Sequence, residues 1–310
     1  MDALNVAFTR QQSLYQLVAE RQIQERRLEL ARLQEQMATG RRVNRPSDDP
    51  GTYTRSQALR RLAQRYDQHE RTLTIGRAWL TATEDALSTL VDLFNSAYEE
   101  GVRMATDTAS TADRATTADV LEQRLQAVLD QLNARHNGEY LFAGTRTTTQ
   151  PFQLSGGTVV YNGNDQTRQL EIAPGLQIAV NLTGNDVWEV DENGDGVTDF
   201  TITEAWQDLI DALRADDTAQ IQNAMARVET ARDHLLDRIA QVGETSRRLS
   251  MAETELQDAR LRLESQRSDL EDADFAEIAV KLQRHQLSLE ATLQVTSRLL
   301  QTSLLNYLAP

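Results

Sequence analysis

Eight apolar residues fall at strict seven-residue intervals: Ile221, Val228, Leu235, Val242, Leu249, Leu256, Leu263 and Leu270. A straight α-helix drifts against a seven-residue repeat, so a repeat held this long implies packing along a partner helix. At 1.5 Å per residue the stripe alone runs roughly 75 Å, several times the length of an ordinary globular helix. Rods of this kind serve assembly, reach or mechanical linkage far more often than chemistry. A second rod, from about Thr54, repeats in the same way through Leu59, Tyr66, Leu73, Leu80, Leu87 and Phe94.

The remaining pattern is built around these rods. The first helix runs to about Met37, with Ile23, Leu30 and Met37 seven apart and Leu14, Leu17, Val18 and Leu33 widening its apolar face. A break at Thr39-Gly40 opens an extended segment, Arg41 to Gly51, punctuated by Pro46 and Pro50. Small polar residues from Thr106 to Ser110 mark a turn, and the next helix carries Ala118, Leu121, Leu125, Val128 and Leu132. Asn137-Gly138 ends that helix in the manner of a C-cap. Residues 141–204 change to Gly, Thr, Asn and short alternating runs, among them Thr158–Tyr161, Leu170–Ile172 and Gln177–Val180, which predict strands and turns. Helix returns near Glu204 and is expected to run as one rod to about Asp272. Gly243 lies inside it at a cost of ~1 kcal/mol relative to alanine, which predicts a local packing reason. The last helix, Phe275 to Leu308, is apolar over so much of its circumference that it needs several neighbours.

The predicted fold is therefore mainly α with a small β-rich insert, built on long antiparallel helical rods with the N- and C-terminal helices paired. Three parts are expected: a terminal helical domain of residues 1–40 and 275–310, a rod domain of 41–140 and 205–274, and an outer insert of 141–204. Aromatics are only 5% of the chain and the mean hydropathy is −0.53, too polar for one large compact core. There are no cysteines, which excludes disulfides, thiolate metal sites and cysteine nucleophiles. The first thirty residues hold no apolar signal region, and nothing resembles a membrane span. A net charge of −15 argues against a nucleic-acid partner. Residues 1–65 nevertheless carry twelve Arg against seven acids, a net of +5, while 141–204 carry two Arg against nine acids, a net of −7. In the first helix the arginines alternate with Glu20, Glu25, Glu29 and Glu35 at spacings suited to intrahelical pairs, so a solvated or subunit-facing helix is expected rather than a binder of anionic surfaces.

Candidate sites are few. Asp191, Asn193, Asp195 and Asp199, with Gly196, match positions 1, 3, 5 and 9 and the glycine of an EF-hand calcium loop. Position 12 is Ile202 rather than glutamate, and Glu204 comes two residues late. The competing reading is a tight turn between strands Val187–Val190 and Val197–Ile202. The four histidines, His69, His136, His234 and His285, are scattered and form no metal-ligand spacing. No nucleophile elbow, phosphate-cradling glycine loop or nucleophile with a recognisable base is present, so no catalytic residue is assigned. Asp48 and Asp49 precede the second rod, placed to satisfy its first amides.

Three stretches resemble the flagellin superfamily of bacterial axial proteins: Thr39-Gly-Arg-Arg-Val-Asn-Arg-Pro-Ser-Asp-Asp-Pro50; Gln241-Val-Gly243 through Arg247-Arg-Leu249, leading to Asp272-Ala-Asp-Phe-Ala-Glu277; and Ser303-Leu-Leu-Asn-Tyr-Leu308. Pro50 after the paired aspartates, Tyr140-Leu-Phe-Ala-Gly-Thr145, Pro151-Phe152 and Tyr161-Asn-Gly are similar to the branch that joins hook to filament rather than to flagellin itself. The ending is extended here by Ala309 and Pro310. The resemblance implies a structural subunit with no enzymatic activity or cofactor, exported without a cleaved signal peptide through the flagellum's own channel. Its implied partners are copies of itself in a ring, flagellin, the neighbouring hook-associated protein and an export chaperone. It implies terminal arms largely disordered in the free monomer, with Leu282, Leu289, Leu293, Leu300 and Leu304 packing between subunits. Gly40, Asn44, Asp48 and Asp49 would then shape a linker that also meets adjacent subunits. A filament subunit and, in a different class, a secreted coiled-coil effector or adhesin are the alternatives.

Overall fold

The computed structural model describes residues 2–308 apart from Gly157 and Pro174, with side chains described for 17–298. Among the described residues, seven helices and eight short strands follow in order: α1 (Asp2–Thr39), α2 (Pro50–Met104), α3 (Thr111–Leu132), β1 (Arg135–His136), β2 (Glu139–Tyr140), β3 (Phe152–Ser155), β4 (Thr158–Tyr161), β5 (Gln169–Ala173), β6 (Leu176–Ala179), α4 (Gly184–Trp188), β7 (Glu189–Val190), β8 (Phe200–Thr201), α5 (Ile202–Arg214), α6 (Thr218–Glu271) and α7 (Phe275–Leu308). The fold is mainly α with a small β insert. The chain divides into two compact units, residues 1–64 with 259–310, and residues 65–258.

The seven-residue repeat is the buried seam of α6. Ile221, Val228, Leu235, Val242, Leu249 and Leu263 are buried, and Leu256 and Leu270 are half-buried. On α2, Leu73, Leu80, Leu87 and Phe94 are buried, with Leu59 and Tyr66 half-buried. A Cβ added at Gly76 would meet Leu249, and one at Gly101 would meet Met225, so within residues 65–258 the two helices run antiparallel.

Several boundaries differ from expectation for local chemical reasons. α2 begins at Pro50 rather than near Thr54, because proline suits the first helical position and Asp49 caps it. α3 stops at Leu132, where Asn133 caps it with its own amide and side chain. Asn137-Gly138 is instead the two-residue turn of the β1–β2 hairpin. Both residues have positive φ, 51° and 85°, as a turn matched to the strand twist requires. The predicted rod from Glu204 to Asp272 is broken at Ala215–Asp217. Asp216 takes φ 54° there, and Asp217 caps α6 through the amides of Ala219 and Gln220. Arg114, 5% exposed, holds the break: it bonds the Asp216 carboxylate at 2.6 Å, the Thr218 hydroxyl, and the Met104 carbonyl at the end of α2.

In the larger unit α3 packs on α5, and the Trp206 indole donates to the Leu121 carbonyl at 2.9 Å while meeting Phe94 edge-on. The strands form four separate antiparallel hairpin pairs, β1–β2, β3–β4, β5–β6 and β7–β8. The motif residues of the insert converge on one knot. The Tyr161 hydroxyl lies 3.2 Å from the Phe142 carbonyl and 3.0 Å from the Asn164 carbonyl, and accepts the Gly184 amide. Burial pushes that phenol above its ordinary value. Phe152, 1% exposed, packs between Tyr161, at a tilt, and Trp188, edge-on. A Cβ on Gly184 would stand 2.1 Å from the Tyr161 ring and 2.8 Å from the Phe142 carbonyl. We therefore expect Gly184→Ala to destabilise this unit by about 2 kcal/mol. Trp79, Trp188 and Trp206 all lie in it, so urea unfolding followed by tryptophan fluorescence reads the loss directly.

Candidate functional site

The residues singled out in the linker meet at one joint in the smaller unit. α1 ends at Thr39, and Gly40 turns the chain with φ 68°, a conformation open to glycine and strained for other residues. Residues 40–42 then pair with the chain between α6 and α7. The Arg42 amide donates to the Glu271 carbonyl, the Ala273 amide to the Gly40 carbonyl, and Arg41 bridges Asp272.

Beyond this ladder the linker folds on itself. Pro46 sits second in a turn closed by the Asp48 amide and the Arg45 carbonyl. The Asp48 carboxylate returns to the amides of Asn44 (3.0 Å) and Arg45 (2.9 Å) and meets Arg32 of α1. Burial works against its charge, but these amides and the Arg32 and Arg45 guanidiniums outweigh it and hold the carboxyl below its ordinary value. Asn44 also donates to the Arg41 carbonyl, and Gln36 of α1 to the Arg42 carbonyl. Asp49 takes the amide and hydroxyl of Thr52, which lower its pKa. Of the two aspartates expected to cap α2, Asp49 does so; Asp48 is spent on the turn behind it.

The centre of the joint is a residue the sequence reading passed over. Glu271, the last residue of α6, is 2% exposed. Its carboxylate accepts the Ser56 hydroxyl, both Nε (3.1 Å) and Nη2 (2.9 Å) of Arg60, and faces Arg41 at 3.4 Å. Burial pushes this carboxyl up, but the hydrogen bonds from Arg60 and Ser56 and the charges of Arg60 and Arg41 bring it below its usual range. The available signal was a charge one residue beyond the last repeat leucine, Leu270. Three residues further on, the Asp274 carboxylate caps α7 through the amides of Ala276 and Glu277.

α7 packs along α1. Ile278 is buried, and Leu282, His285, Leu289, Thr292 and Thr296 are half-buried at spacings of three and four, the face turned to α1. Leu293 is 41% exposed, and Val280, Leu287 and Val295 are more so. On α1, Leu17, Val18 and Leu28 are exposed too. Leu300, Leu304 and the Ser303–Leu308 motif fall outside the described side chains, as does Leu14.

The Asp191–Asp199 loop is closed by its own amides. Asp191 accepts the amides of Gly194, Asp195 and Gly196, which hold its carboxyl below the ordinary value. Asn193 accepts the Asp195 amide, Asp195 that of Val197, and Asp199 that of Glu192. The expected strand Val187–Val190 is a one-turn helix, α4, capped by Thr183 and followed by β7; Ile202 belongs to α5, where Thr201 and Glu204 form the capping box. Glu204 is thus engaged in a cap. Among the described residues, no group of three or more His, Cys, Asp or Glu is placed to hold a metal ion, and no helix is long and apolar enough to cross a membrane. His69 faces the Glu171 carbonyl, His136 the Asn137 amide and Trp79, and His234 the Asp186 carbonyl, each in a separate packing role.

Residues 12–147 match the bacterial flagellin N-terminal helical region, and residues 225–308 the bacterial flagellin C-terminal helical region. The chain belongs to the flagellin superfamily. Flagellar hook-associated protein 3 of Salmonella typhimurium is 33% identical over 178 residues, 53% of this chain and 54% of that protein, so the match spans about half of its length. The Escherichia coli protein of the same name is 26% identical over 256 residues, 78% of this chain and 81% of that one. The crystal structure of the flagellar junction protein FlgL from Legionella pneumophila shares the fold, with a TM-score of 0.60 at 17% identity over 70% of this chain and 99% of that one. Both flagellin-type regions converge on the joint, the first supplying Gly40 to Arg60 and the second Glu271 to Ile278.

Removing the Glu271 charge leaves Arg60 and Arg41 facing a neutral amide. Glu271→Gln is expected to weaken the joint by about 2 kcal/mol, read as faster hydrogen exchange at the Arg42 and Ala273 amides with tryptophan fluorescence unchanged. The same stability is present above the ordinary carboxylate pKa of about 4.3 and is lost as pH falls through the lowered folded value, because the folded state binds the proton more weakly. Exchange at these amides in the wild type should accelerate over that acid window and stay flat above it.

Proposed function

We propose that this protein is a structural subunit of the bacterial flagellum that sits between hook and filament. The observation that carries this reading is the pairing of a flagellin-type N-terminal and C-terminal region in α1 and α7, in a chain whose curated relatives are hook-associated proteins. Its action is geometric. Copies pack side by side in a ring, with the neighbouring hook-associated protein on one side and flagellin on the other. The terminal segments 1–40 and 275–310 form the assembly domain, 41–140 and 205–274 the rods, and 141–204 the outer insert. Its role is structural, with no enzymatic step and no cofactor.

Exposed apolar side chains on both terminal helices support a role for neighbouring copies. Leu17, Val18 and Leu28 on α1, and Val280, Leu287, Leu293 and Val295 on α7, are surfaces that contact with other subunits removes from water. In the free subunit these helices gain order only in part, and the chain leaves the cell unfolded through the flagellar export channel with a chaperone's help.

Deleting the gene is expected to leave bare hooks with flagellin shed into the medium. Bare hooks with no flagellin species anywhere would make the chain a filament subunit. Intact filaments, in a cell with no second copy of the gene, would remove the flagellar role and favour an effector or adhesin. Leu293→Asp changes an exposed side chain, so the purified subunit should keep its folded helical content while incorporation at the junction, and with it motility, fails. Normal swimming of that mutant would refute the assembly role of α7.

A further inference from the structure

Within residues 65–258, helices α2 and α6 carry three interior glycines, and two of them have an evident steric reason. A Cβ at Gly76 would stand 2.9 Å from Leu170, 3.3 Å from Leu249 and 3.4 Å from Val180, and one at Gly101 would stand 2.8 Å from Met225. These glycines let the insert and α6 approach α2. Gly243 is different: a Cβ there meets nothing within 4 Å. The packing reason that its sequence position suggested is absent. A helix-interior glycine without a close neighbour only adds backbone freedom to the helix.

The facing helix carries a threonine at the same level, the buried one among several in α2 whose hydroxyl bonds the carbonyl four residues back, Thr72, Thr74 and Thr89 being exposed or half-buried others. With Gly76 beside Leu249 and Gly101 beside Met225, the antiparallel register sets Gly243 across from Thr83. Thr83 is buried, and its hydroxyl donates to the Trp79 carbonyl four residues back at 2.9 Å. A threonine bonded in this way competes with the helix ladder and favours bending. The directional ties from α6 to other elements stand clear of this level. Arg227 with Asp208 and His234 with the Asp186 carbonyl lie on one side, and Ser250 and Glu253 with Arg77 on the other. Between them α6 is held by apolar burial at Val242 and Leu249, a non-directional contact that permits small rotations.

We propose that the Thr83–Gly243 level is a flexure point, at which the paired helices α2 and α6 bend without unpacking their seam. The two weak backbones act together because a bend in one helix of a packed pair must be followed by the other. A subunit able to curve there adapts its side to neighbours that stand at different angles. The inference concerns the mechanics of the single chain and does not rest on where it is assembled.

The test uses the full-length protein. It has no native cysteine, so spin labels are placed by Gln222→Cys and Gln257→Cys, exposed positions of α6 on either side of Gly243. Gly243→Ala has room for its methyl group. It should narrow the distance distribution between the labels and slow hydrogen exchange at residues 239–247 about fivefold, the factor that corresponds to the alanine–glycine difference in helix propensity. Thr83→Val should act in the same direction. A distribution and exchange rates unchanged in both variants would overturn the proposal. Slower exchange with an unchanged distance distribution would also overturn it, since the glycine would then loosen the ladder locally without bending the helix.

Discussion

The buried seam of α6 is the constraint to which the rest of this molecule answers. Six of its eight repeat residues are buried outright, and the facing repeat of α2 is closed with Leu73, Leu80, Leu87 and Phe94. Apolar contact repeated every seventh residue favours two helices lying side by side over a long distance, and it leaves the opposite faces free for charge. Those faces carry Arg77, Glu253, Glu244 and Arg248, paired across or along the helices. Within residues 65–258 the rest is built around that seam: α3 and α5 complete the core around Trp206 and Phe94, and the insert is knotted through Tyr161, Phe152 and Gly184.

Where the seam of α6 ends, polar chemistry takes over. The last seam leucine, Leu270, is followed at once by the buried Glu271, which gathers Ser56, Arg60 and Arg41. A carboxylate out of contact with water is tolerated only when its oxygens are met by donors and opposite charge, and here the donors come from chain segments more than two hundred residues earlier. The joint therefore closes only when both ends of the chain are in place. Around it, Asp48 satisfies the turn at Pro46, Asp49 starts α2 and Asp274 starts α7. The four acids Asp48, Asp49, Glu271 and Asp274 thus close one turn, cap two helices and gather one buried cluster of donors at the same joint.

The terminal pair α1–α7 shows the opposite balance. One stripe of α7 faces α1, yet Val280, Leu287 and Val295 remain outside it. Two helices cover only one face of each other, so a helix apolar on several sides stays incompletely buried in a single chain. That surplus, rather than any cleft or cluster of reactive groups, is the property that fits a part made to be assembled.

How much was legible from sequence can be argued residue by residue. Periodicity determined the helices α1, α2, α3, α6 and α7, the β character of residues 141–204 and the seam itself, because a repeat of seven has few solutions other than paired helices. Local turn chemistry was legible in type but not in place. Asn137-Gly138 was recognisable as punctuation, yet it closes a hairpin because Asn133 had already capped α3 and tied it to the Phe152 backbone nineteen residues on. The break at Ala215–Asp217 escaped because it is enforced by Arg114, a hundred residues away. Glu271 escaped for the same reason: its place just after Leu270 was the one local signal, and its partners Ser56 and Arg60 lie more than two hundred residues earlier. Gly243 ran the other way: its position inside the helix suggested close packing, and only the three-dimensional surroundings showed open space. Sequence by itself determined what repeats along a helix or pairs within a few residues, because those forces act between near neighbours. Only the tertiary structure decided which acid is buried, where the rod after Glu204 breaks and which glycine has room, because each of those depends on side chains that the chain brings together from far apart.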